Sequence, residues 1–240
     1  WRPAVTEHQP HQDTSTIPPY IHDWFSQLPS RMLATEIDPA TSAIFSTDMI
    51  NGFCHFGPLA SPRVLAIIGP VVDLFTRAHA LGVRNFVLTQ DTHEPDAPEF
   101  AAWPPHCVRG TPEAETIPEI TALPFADLLT VVEKNSLHPG HETEFDAWMA
   151  DHPQVRTAIV VGDCTDLCVY SLAMSLRLVS NARNIPDVRV IVPANTVDTY
   201  DLSPDAAAAI GAFPHSAQFF HEVFLYHMAL NGIEVVRALG

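Results

Sequence analysis

The stretch from Val160 to Arg177, VVGDCTDLCVYSLAMSLR, decides the fold because it leads from a buried strand straight into a helix. It continues an apolar run that begins at Arg156, and such unbroken Val and Ile runs are typical of parallel strands buried on both faces. The residues after Thr165 predict a helix. A strand followed directly by a helix is the repeating unit of an α/β sheet.

The same unit recurs along the chain. Five other apolar runs predict strands: Ser42–Asp48, Val83–Asp91, Leu128–Lys134, Asp187–Pro193 and Ile233–Leu239. Between the first two, residues 61–82 have the apolar spacing of a helix. Ser61 is placed to cap its start, Gly82 to end it, and Pro70 to kink it or delay its start. We therefore predict a doubly wound, mostly parallel six-stranded sheet with helices on both faces, in three layers.

Composition limits the classes of partner. Of the 240 residues, 47% are hydrophobic, which is enough for a sizeable core. The 12 basic and 28 acidic side chains give a net charge of −16, so neither nucleic acids nor anionic membranes are expected partners. No apolar run reaches about 18 residues, so the sequence predicts no transmembrane helix.

Cysteine content and periodicity suggest a location and a domain division. Four cysteines in a chain of this length are typical of a reducing compartment, so we expect a cytoplasmic protein. Residues 1–40 contain Pro, Thr and His with weak periodicity, and we predict an N-terminal extension that packs on the domain. Residues 41–240 are predicted to form the single α/β domain.

Polar residues follow four of the predicted strands at the point where each strand ends. They are Asp48, Asp91, Lys134 and the segment 163–168. In open α/β sheets the carboxyl ends of the strands meet at one edge, and ligands bind in the crevice outside that edge. We therefore expect these sequence-distant residues to converge.

Two cysteines follow the fourth strand, and several explanations fit them. Cys168 lies in the first turn of the predicted helix, where free N–H groups and the helix dipole lower a thiol pKa and can hold an oxyanion. It is either a nucleophile or a small buried residue that packs the helix. With Cys164 it forms a CxxxC pair, which is a weak zinc signal and is one residue longer than a redox CxxC motif. A disulfide is not expected in a reducing compartment.

A second candidate site lies in the segment 89–107. Asp91 and His93 are two residues apart at a strand end, and Glu99 and His106 follow in a Pro-rich loop. Carboxylate and imidazole together are typical ligands of Zn, Fe or Mn. These residues form either a metal site or an ordinary polar surface loop.

Further residues have candidate roles by position. Lys134 ends an apolar strand, where desolvation and nearby charges make its pKa tunable and would favour a neighbouring thiolate; a solvated lysine is the alternative. Asp48 can serve as a base that transfers protons. Phe53 and Trp103 can line a flat aromatic substrate, or they belong to the core or rim.

Four segments together resemble the isochorismatase-like cysteine hydrolases, and within them the nicotinamidase branch, closest to its plant-type members. They are STDMINGFC (46–54), QDTHEPDAPEFAAWPPHCVRGTPEAE (90–115), VVEKN (131–135) and VVGDCTDLCV (160–169). The most specific element is WPPHC followed by GT. The resemblance implies an isochorismatase-like, Rossmann-like fold and hydrolysis of nicotinamide to nicotinate and ammonia through a thioester, a step of NAD salvage.

The resemblance also implies roles for individual residues. Asp48, Lys134 and Cys168 would form the catalytic triad, and the backbone N–H groups of Cys164 and Cys168 the oxyanion hole, after a cis peptide bond between residues 163 and 164. The implied ligands of one divalent transition metal ion, Zn first and Fe or Mn next, are Asp91, His93, His106 and Glu99, the last replacing a second loop histidine. Phe53 and Trp103 would flank the pyridine ring.

Two departures from the family pattern concern substrate preference: the segment 135–148, and Leu167 where some relatives carry a polar residue. The resemblance implies a small amide as the partner, and we expect a homo-oligomer. Two other hypotheses remain open. One is a related amidohydrolase that acts on a ureido or carbamoyl compound. The other is a non-enzymatic module that binds a metal or cycles Cys164 and Cys168.

Overall fold

A computed structural model of the protein describes residues 17–240, and a parallel sheet runs through its centre. The strands in these residues are, in chain order, β1 (Ser30–Arg31), β2 (Ser42–Thr47), β3 (Asn85–Asp91), β4 (Leu129–Lys134), β5 (Thr157–Asp163), β6 (Arg189–Pro193), β7 (Val197–Asp198), β8 (Glu234–Val236) and β9 (Ala238–Leu239). Six of them form the main sheet in the order β4–β3–β2–β5–β6–β8, with every pairing parallel. The predicted six-stranded sheet is confirmed, and the short β7 pairs with the end of β5.

Helices cover both faces of this sheet. Those within residues 17–240 are α1 (Pro19–Ser26), α2 (Leu33–Glu36), α3 (Asn51–Cys54), α4 (Pro62–Leu81), α5 (Pro118–Thr121), α6 (Phe145–Asp151), α7 (Cys168–Ala182), α8 (Pro204–Ile210) and α9 (Ala217–Leu230). The buried side chains of α4 contribute to the core on one face, and those of α6, α7 and α9 contribute to the core on the other. The predicted doubly wound arrangement is therefore confirmed.

Alternate residues of the central strands belong to these two cores. In β2, Ile44 packs into one core and Phe45 into the other, and in β5 Ile159 and Val160 divide in the same way. All four side chains are fully buried. Burial on both faces explains why these strands are unbroken apolar runs instead of alternating ones.

The long helix α4 begins and ends as its sequence predicts. The Ser61 side chain accepts a hydrogen bond from the Arg63 N–H, and Gly82 ends the helix in the left-handed conformation with φ of 107°. Pro70 lies inside a continuous helix, so a late start is excluded. By length and composition alone, α4 is long and apolar enough to cross a membrane. Seven of its residues are nevertheless buried within this domain.

The last predicted strand is split in two. Residues 234–236 extend the main sheet as β8, whereas residues 238–239 pair with β1 as β9. At the break, Arg237 donates its N–H to the Pro29 carbonyl at 2.8 Å. Helix α1 packs on α9, where the Trp24 ring lies edge-on to Tyr226 at 5.2 Å between centroids. The boundary near residue 40 stays a prediction, and residues 1–16 of the predicted extension lie outside the described residues.

The strand order defines where a ligand crevice can form. The chain winds outward from β2 to β3 and β4, and outward in the other direction from β5 to β6 and β8. The winding reverses between β2 and β5, and ligands bind outside the carboxyl ends of strands at such a reversal. Asp48 follows β2 at this point, and the segment 163–168 ends β5 and leads into α7.

Candidate active site

Asp91 and Lys134 end two neighbouring strands and are direct register partners in β3 and β4. Their side chains form an ion pair. The Lys134 Nζ also lies 3.0 Å from Asp48 Oδ2 and 3.7 Å from Cys168 Sγ. All four side chains are buried. The strand ends thus bring together the three residues proposed as a triad, whose catalytic roles stay predictions.

Lys134 is the one lysine in the 240-residue sequence, and its side chain has no exposed surface. Burial alone would lower its pKa, but the charges of Asp48 and Asp91 outweigh burial and hold the pKa well above its ordinary value. The site therefore contains a fixed ammonium between two carboxyl groups and a thiol.

Asp48 is held by backbone interactions just past β2. Its φ of 54° lies in the left-handed region, its N–H donates to the Thr89 carbonyl at 2.9 Å, and its Oδ1 accepts from the Asp91 N–H at 2.7 Å. Burial and the nearby Asp91 raise the pKa of Asp48 to about 6, although Lys134 and Cys168 act in the opposite direction. A carboxyl group with such a pKa is suited to take up and return a proton near neutral pH.

Cys168 is the first residue of α7, as the sequence predicts. Its thiol pKa, however, is raised well above the ordinary value, first by burial and then by Asp48, with Lys134 acting in the opposite direction. Lys134 thus acts on the thiol pKa in the expected direction, but burial and Asp48 outweigh it in the resting site. The thiol sulfur lies within 4.8 Å of a carboxylate oxygen of Asp48. All four cysteines of the chain are buried and free.

The turn from Cys164 to Cys168 presents two backbone N–H groups beside the thiol. The peptide bond between Asp163 and Cys164 is cis, as the resemblance implies. Within residues 17–240 the N–H groups of Cys164 and Cys168 have no backbone acceptor, and neither has that of Asp166, whereas those of Thr165 and Leu167 do. Two unpaired donors that flank a nucleophile can hold a developing oxyanion, and this role stays a prediction.

Asp91, His93 and His106, here called the ligand cluster, present ligand atoms that all lie within 4.8 Å of one another. The Oδ2 of Asp91 lies 3.5 Å from His93 Nε2 and 3.9 Å from His106 Nε2. The other ring nitrogens are engaged, since His93 Nδ1 donates to Asn135 Oδ1 at 3.1 Å and His106 Nδ1 to the Pro104 carbonyl at 2.8 Å. These bonds hold both Nε2 atoms towards Asp91.

The ligand cluster fits a divalent transition metal ion. The Nε2 of His93 is buried without a hydrogen-bond partner among the described residues, although buried polar atoms normally have one. The carboxyl groups of Asp48 and Asp91 share one ammonium, so a cation would offset the remaining negative charge. Imidazole and carboxylate ligands suit Zn, Fe and Mn.

Glu99 lies apart from the ligand cluster. It lines the same pocket and is half-buried, but it is not among the described residues whose ligand atoms lie within 4.8 Å of one another. Burial and Asp91 raise its pKa, whereas His93 acts in the opposite direction. Its assignment as a metal ligand stays a prediction.

The pocket above these groups has aromatic walls. Phe53 is buried edge-on to the His106 ring at 5.6 Å between centroids, and Trp103 is edge-on to Tyr200 at 5.9 Å. Phe53 and Trp103 thus line the pocket, as expected. The sequence reasoning missed Tyr200, which no motif marks because it lies in a loop after β7. Further apolar lining comes from Leu59, Leu137 and Leu167.

The chain is similar to one protein family and to several known relatives. The model of the isochorismatase domain matches residues 42–221. Nicotinamidase 1 of Arabidopsis thaliana is 29% identical over 236 residues, which cover 90% of this chain and 96% of that protein.

Two solved structures are similar in fold. N-carbamoylsarcosine amidase from Thermoplasma acidophilum is 24% identical with a TM-score of 0.61, covering 82% of this chain and 96% of that one. Pyrazinamidase of Pyrococcus horikoshii in complex with zinc is 20% identical with a TM-score of 0.62, covering 82% and 99%. At these identities the likeness concerns the fold alone.

The family match contains the whole candidate site. It extends from the start of β2 into α9 and so includes every strand end that carries a site residue. The chain belongs to the isochorismatase family.

Proposed function

We propose that this protein is a nicotinamidase, a cysteine amidohydrolase that converts nicotinamide to nicotinate and ammonia for NAD salvage. One observation carries the proposal: the enclosed group of Asp48, Lys134 and Cys168 adjoins the ligand cluster. Asp91 links the two, because it pairs with Lys134 and is a member of the cluster that fits a metal. The similarity to the plant nicotinamidase over most of both chains supports it.

Nicotinamide also matches the shape and charge of the pocket. The substrate is small, flat and neutral, and the rings of Phe53, Trp103 and Tyr200 line the space above Cys168. Aromatic side chains pack well against such a ring. The net charge of −16 does not repel a neutral substrate, whereas it disfavours retention of the anionic product.

Cys168 supplies the nucleophile. Asp48, whose carboxylate lies within 4.8 Å of the thiol, accepts its proton, and the sulfur forms a bond to the amide carbon. Lys134, 3.7 Å from the sulfur, stabilises the negative charge during this transfer. The carbonyl oxygen becomes an oxyanion that accepts hydrogen bonds from the N–H groups of Cys164 and Cys168.

Asp48 then returns the proton to the amide nitrogen. The carbon–nitrogen bond breaks, ammonia leaves, and Cys168 remains as a thioester. Asp48, again a carboxylate, removes a proton from water while the water oxygen attacks the thioester carbon. The carbon–sulfur bond breaks, nicotinic acid leaves, and the proton passes from Asp48 to the Cys168 sulfur, which restores the resting site.

The ligand cluster can orient the substrate through a bound metal ion. Asp91, His93 and His106 would hold a divalent ion, Zn first and Fe or Mn next, which when bound supplies a Lewis-acid anchor for the pyridine nitrogen. Asn135 and the Pro104 carbonyl orient the two rings through their Nδ1 atoms.

Ammonia release tests the proposal directly. The purified protein is stripped of metal, reloaded separately with Zn, Fe or Mn, and supplied with nicotinamide or with a panel of ureido and carbamoyl compounds. We expect release from nicotinamide, and none from the Cys168→Ala variant. Release from the ureido compounds but not from nicotinamide would reassign the substrate. Release that persists in Cys168→Ala would refute the cysteine mechanism.

A further inference from the structure

Histidines from the last part of the chain hold the turn between the two proposed oxyanion donors. The central residues of that turn, Thr165 and Asp166, are polar yet buried. Thr165 Oγ1 lies 2.8 Å from His221 Nδ1, and Asp166 Oδ2 lies 2.8 Å from His215 Nε2. Neither histidine lines the pocket, so both act on the site only through other residues.

Ring stacking and hydrogen bonds hold His215 in place. Its ring is stacked between Tyr200, at 4.0 Å between centroids, and Phe220, at 4.3 Å. Its Nδ1 donates to the Tyr200 carbonyl at 2.8 Å, and its backbone forms two hydrogen bonds with Leu202. The bond from Nδ1 to the Tyr200 carbonyl uses the proton on Nδ1. The hydrogen bond between Nε2 and Asp166 therefore requires a second proton, either on Nε2 or on the carboxyl group.

Thr165 forms a second, independent attachment of the same turn, through its side chain to His221 and through its backbone to Asp198. The Thr165 N–H donates to the Asp198 carbonyl at 3.0 Å, while the Asp198 carboxylate is held by Arg63 at 2.7 Å. This attachment fixes the start of the turn near Cys164. The contact between His215 and Asp166 fixes its other half, next to the residue before Cys168.

We propose that His215 is a positioning residue for amide hydrolysis, which acts through Asp166 on the direction of the Cys164 and Cys168 N–H groups. Through its ring and its bond to the carbonyl it also places Tyr200 in the pocket wall. The proposal rests on the proposed function, because it assigns the two N–H groups to an oxyanion. Small rotations of a turn redirect its N–H groups, and oxyanion stabilisation depends on donors aimed at one point.

Two substitutions separate the contacts of His215. In His215→Asn the amide nitrogen takes the place of Nδ1, so the bond to Tyr200 is kept and the bond to Asp166 is lost. In His215→Gln the amide nitrogen takes the place of Nε2 and keeps the bond to Asp166. His152→Asn is the matched control, because His152 also stacks on an aromatic ring, Trp148, at 4.0 Å and bonds its carbonyl at 2.7 Å.

We expect His215→Asn to lower kcat on the order of ten- to hundredfold with KM within about twofold, because the lost interaction matters only in the transition state. His152→Asn should keep the wild-type kcat, and His215→Gln should keep more of it than His215→Asn because it retains the bond to Asp166. Unchanged kcat in His215→Asn, or equal losses in both His215 variants, would overturn the proposal.

If His215→Asn does not fold, variants of Asp166 test the same contact. Asp166→Asn can donate from its amide to His215 Nε2 and should keep kcat, whereas Asp166→Ala should lose it to the extent expected for His215→Asn. Equal kcat in the two Asp166 variants contradicts the proposed route. Where all variants fold, combining His215→Asn with Asp166→Ala should lower kcat no more than either change alone.

A readout without substrate distinguishes this proposal from the proposed function. We expect iodoacetamide to alkylate the Cys168 thiol at a rate that depends on the position of the turn, and mass spectrometry locates the modified residue. We expect His215→Asn to change this rate at least about threefold and His152→Asn to leave it unchanged. If wild-type protein releases no ammonia from nicotinamide, the proposed function fails, while this rate still supports or contradicts the positioning role.

Discussion

The Nζ of Lys134 lies 3.0 Å from Oδ2 of Asp48, and neither side chain is more than about 1% exposed. The two residues belong to different strand ends, 86 positions apart, and meet because β2, β3 and β4 are neighbours in the sheet. An ion pair this deeply enclosed is costly to form and more costly to break, because the remaining partner keeps its charge without water.

Replacing Lys134 with Met should therefore damage both stability and activity. We expect the free energy of unfolding to fall by about 3–5 kcal/mol, since the buried carboxyl groups lose their only cation among the described residues. Denaturant titration measures the loss. Arg77→Met is the control, because its ion pair with Asp73 is exposed and should contribute less than about 1 kcal/mol. Equal losses in the two variants would contradict the structure.

The single lysine provides a chemical probe of the site. Because Lys134 is enclosed and paired with two carboxyl groups, an amine-acylating reagent should not modify it in the folded protein. In urea, the same reagent should add one group at Lys134, located by peptide mass spectrometry. Rapid acylation of Lys134 under native conditions would show that the site is open to solvent.

The two cysteines of the turn should respond differently to the same substitution. Cys168→Ala should abolish ammonia release because the nucleophilic sulfur is lost. Cys164→Ala should keep much of the activity, because the role proposed for Cys164 needs only its backbone N–H. Initial rates of ammonia release measure both. Inactivity of a folded Cys164→Ala would instead favour a shared role for the two thiols.

Asn135 should affect metal binding without being a ligand. Its Oδ1 accepts hydrogen bonds from His93 Nδ1 and from the Glu94 N–H, each at 3.1 Å. We expect Asn135→Ala to weaken zinc affinity by about 10- to 100-fold, because the orientation of the imidazole is lost. Competition with a chromophoric chelator measures the affinity. An unchanged affinity would place the metal away from His93.

Two glycines should respond in opposite directions to alanine. Gly162 has φ of +111°, and a Cβ there would collide with the Thr47 backbone, so Gly162→Ala should destabilise the protein by about 3 kcal/mol or more. Gly69 lies inside α4, and an alanine Cβ at this position would point into open space. Gly69→Ala should stabilise the protein by less than the ~0.5–1 kcal/mol typical of a helix interior, because Pro70 disfavours a helical residue with a Cβ before it. Thermal and denaturant unfolding test both, and a neutral Gly162→Ala would contradict the described backbone.

Much of the fold follows from local apolar patterns. The runs that end at Asp48, Asp91 and Lys134 are strands within one or two residues of their predicted bounds, because burial on both faces leaves an unbroken apolar signal. The run 233–239 also predicts one strand, yet it divides at Arg237. The reason is not local, since β9 leaves the main sheet to pair with β1 from the other end of the chain.

The chemistry of the site is less predictable. A helix terminus and a nearby lysine favour a lowered thiol pKa for Cys168, but complete burial and Asp48 reverse the direction. Glu99 lies in the same loop as His106, yet its carboxylate is not within 4.8 Å of all three ligand atoms of the cluster. Tyr200 and His215 lie far along the chain from the motifs they contact and carry no signal of their own.

The sequence by itself determined the six main strands, the helices α4 and α7 and the polar residues that end the strands, because these follow from the spacing of apolar residues within short segments. Only the tertiary structure decided the raised thiol pKa of Cys168, the exclusion of Glu99 from the ligand cluster and the contact from His215 to the oxyanion turn. These depend on burial and on charges that distant segments bring into direct contact, and no local pattern records either.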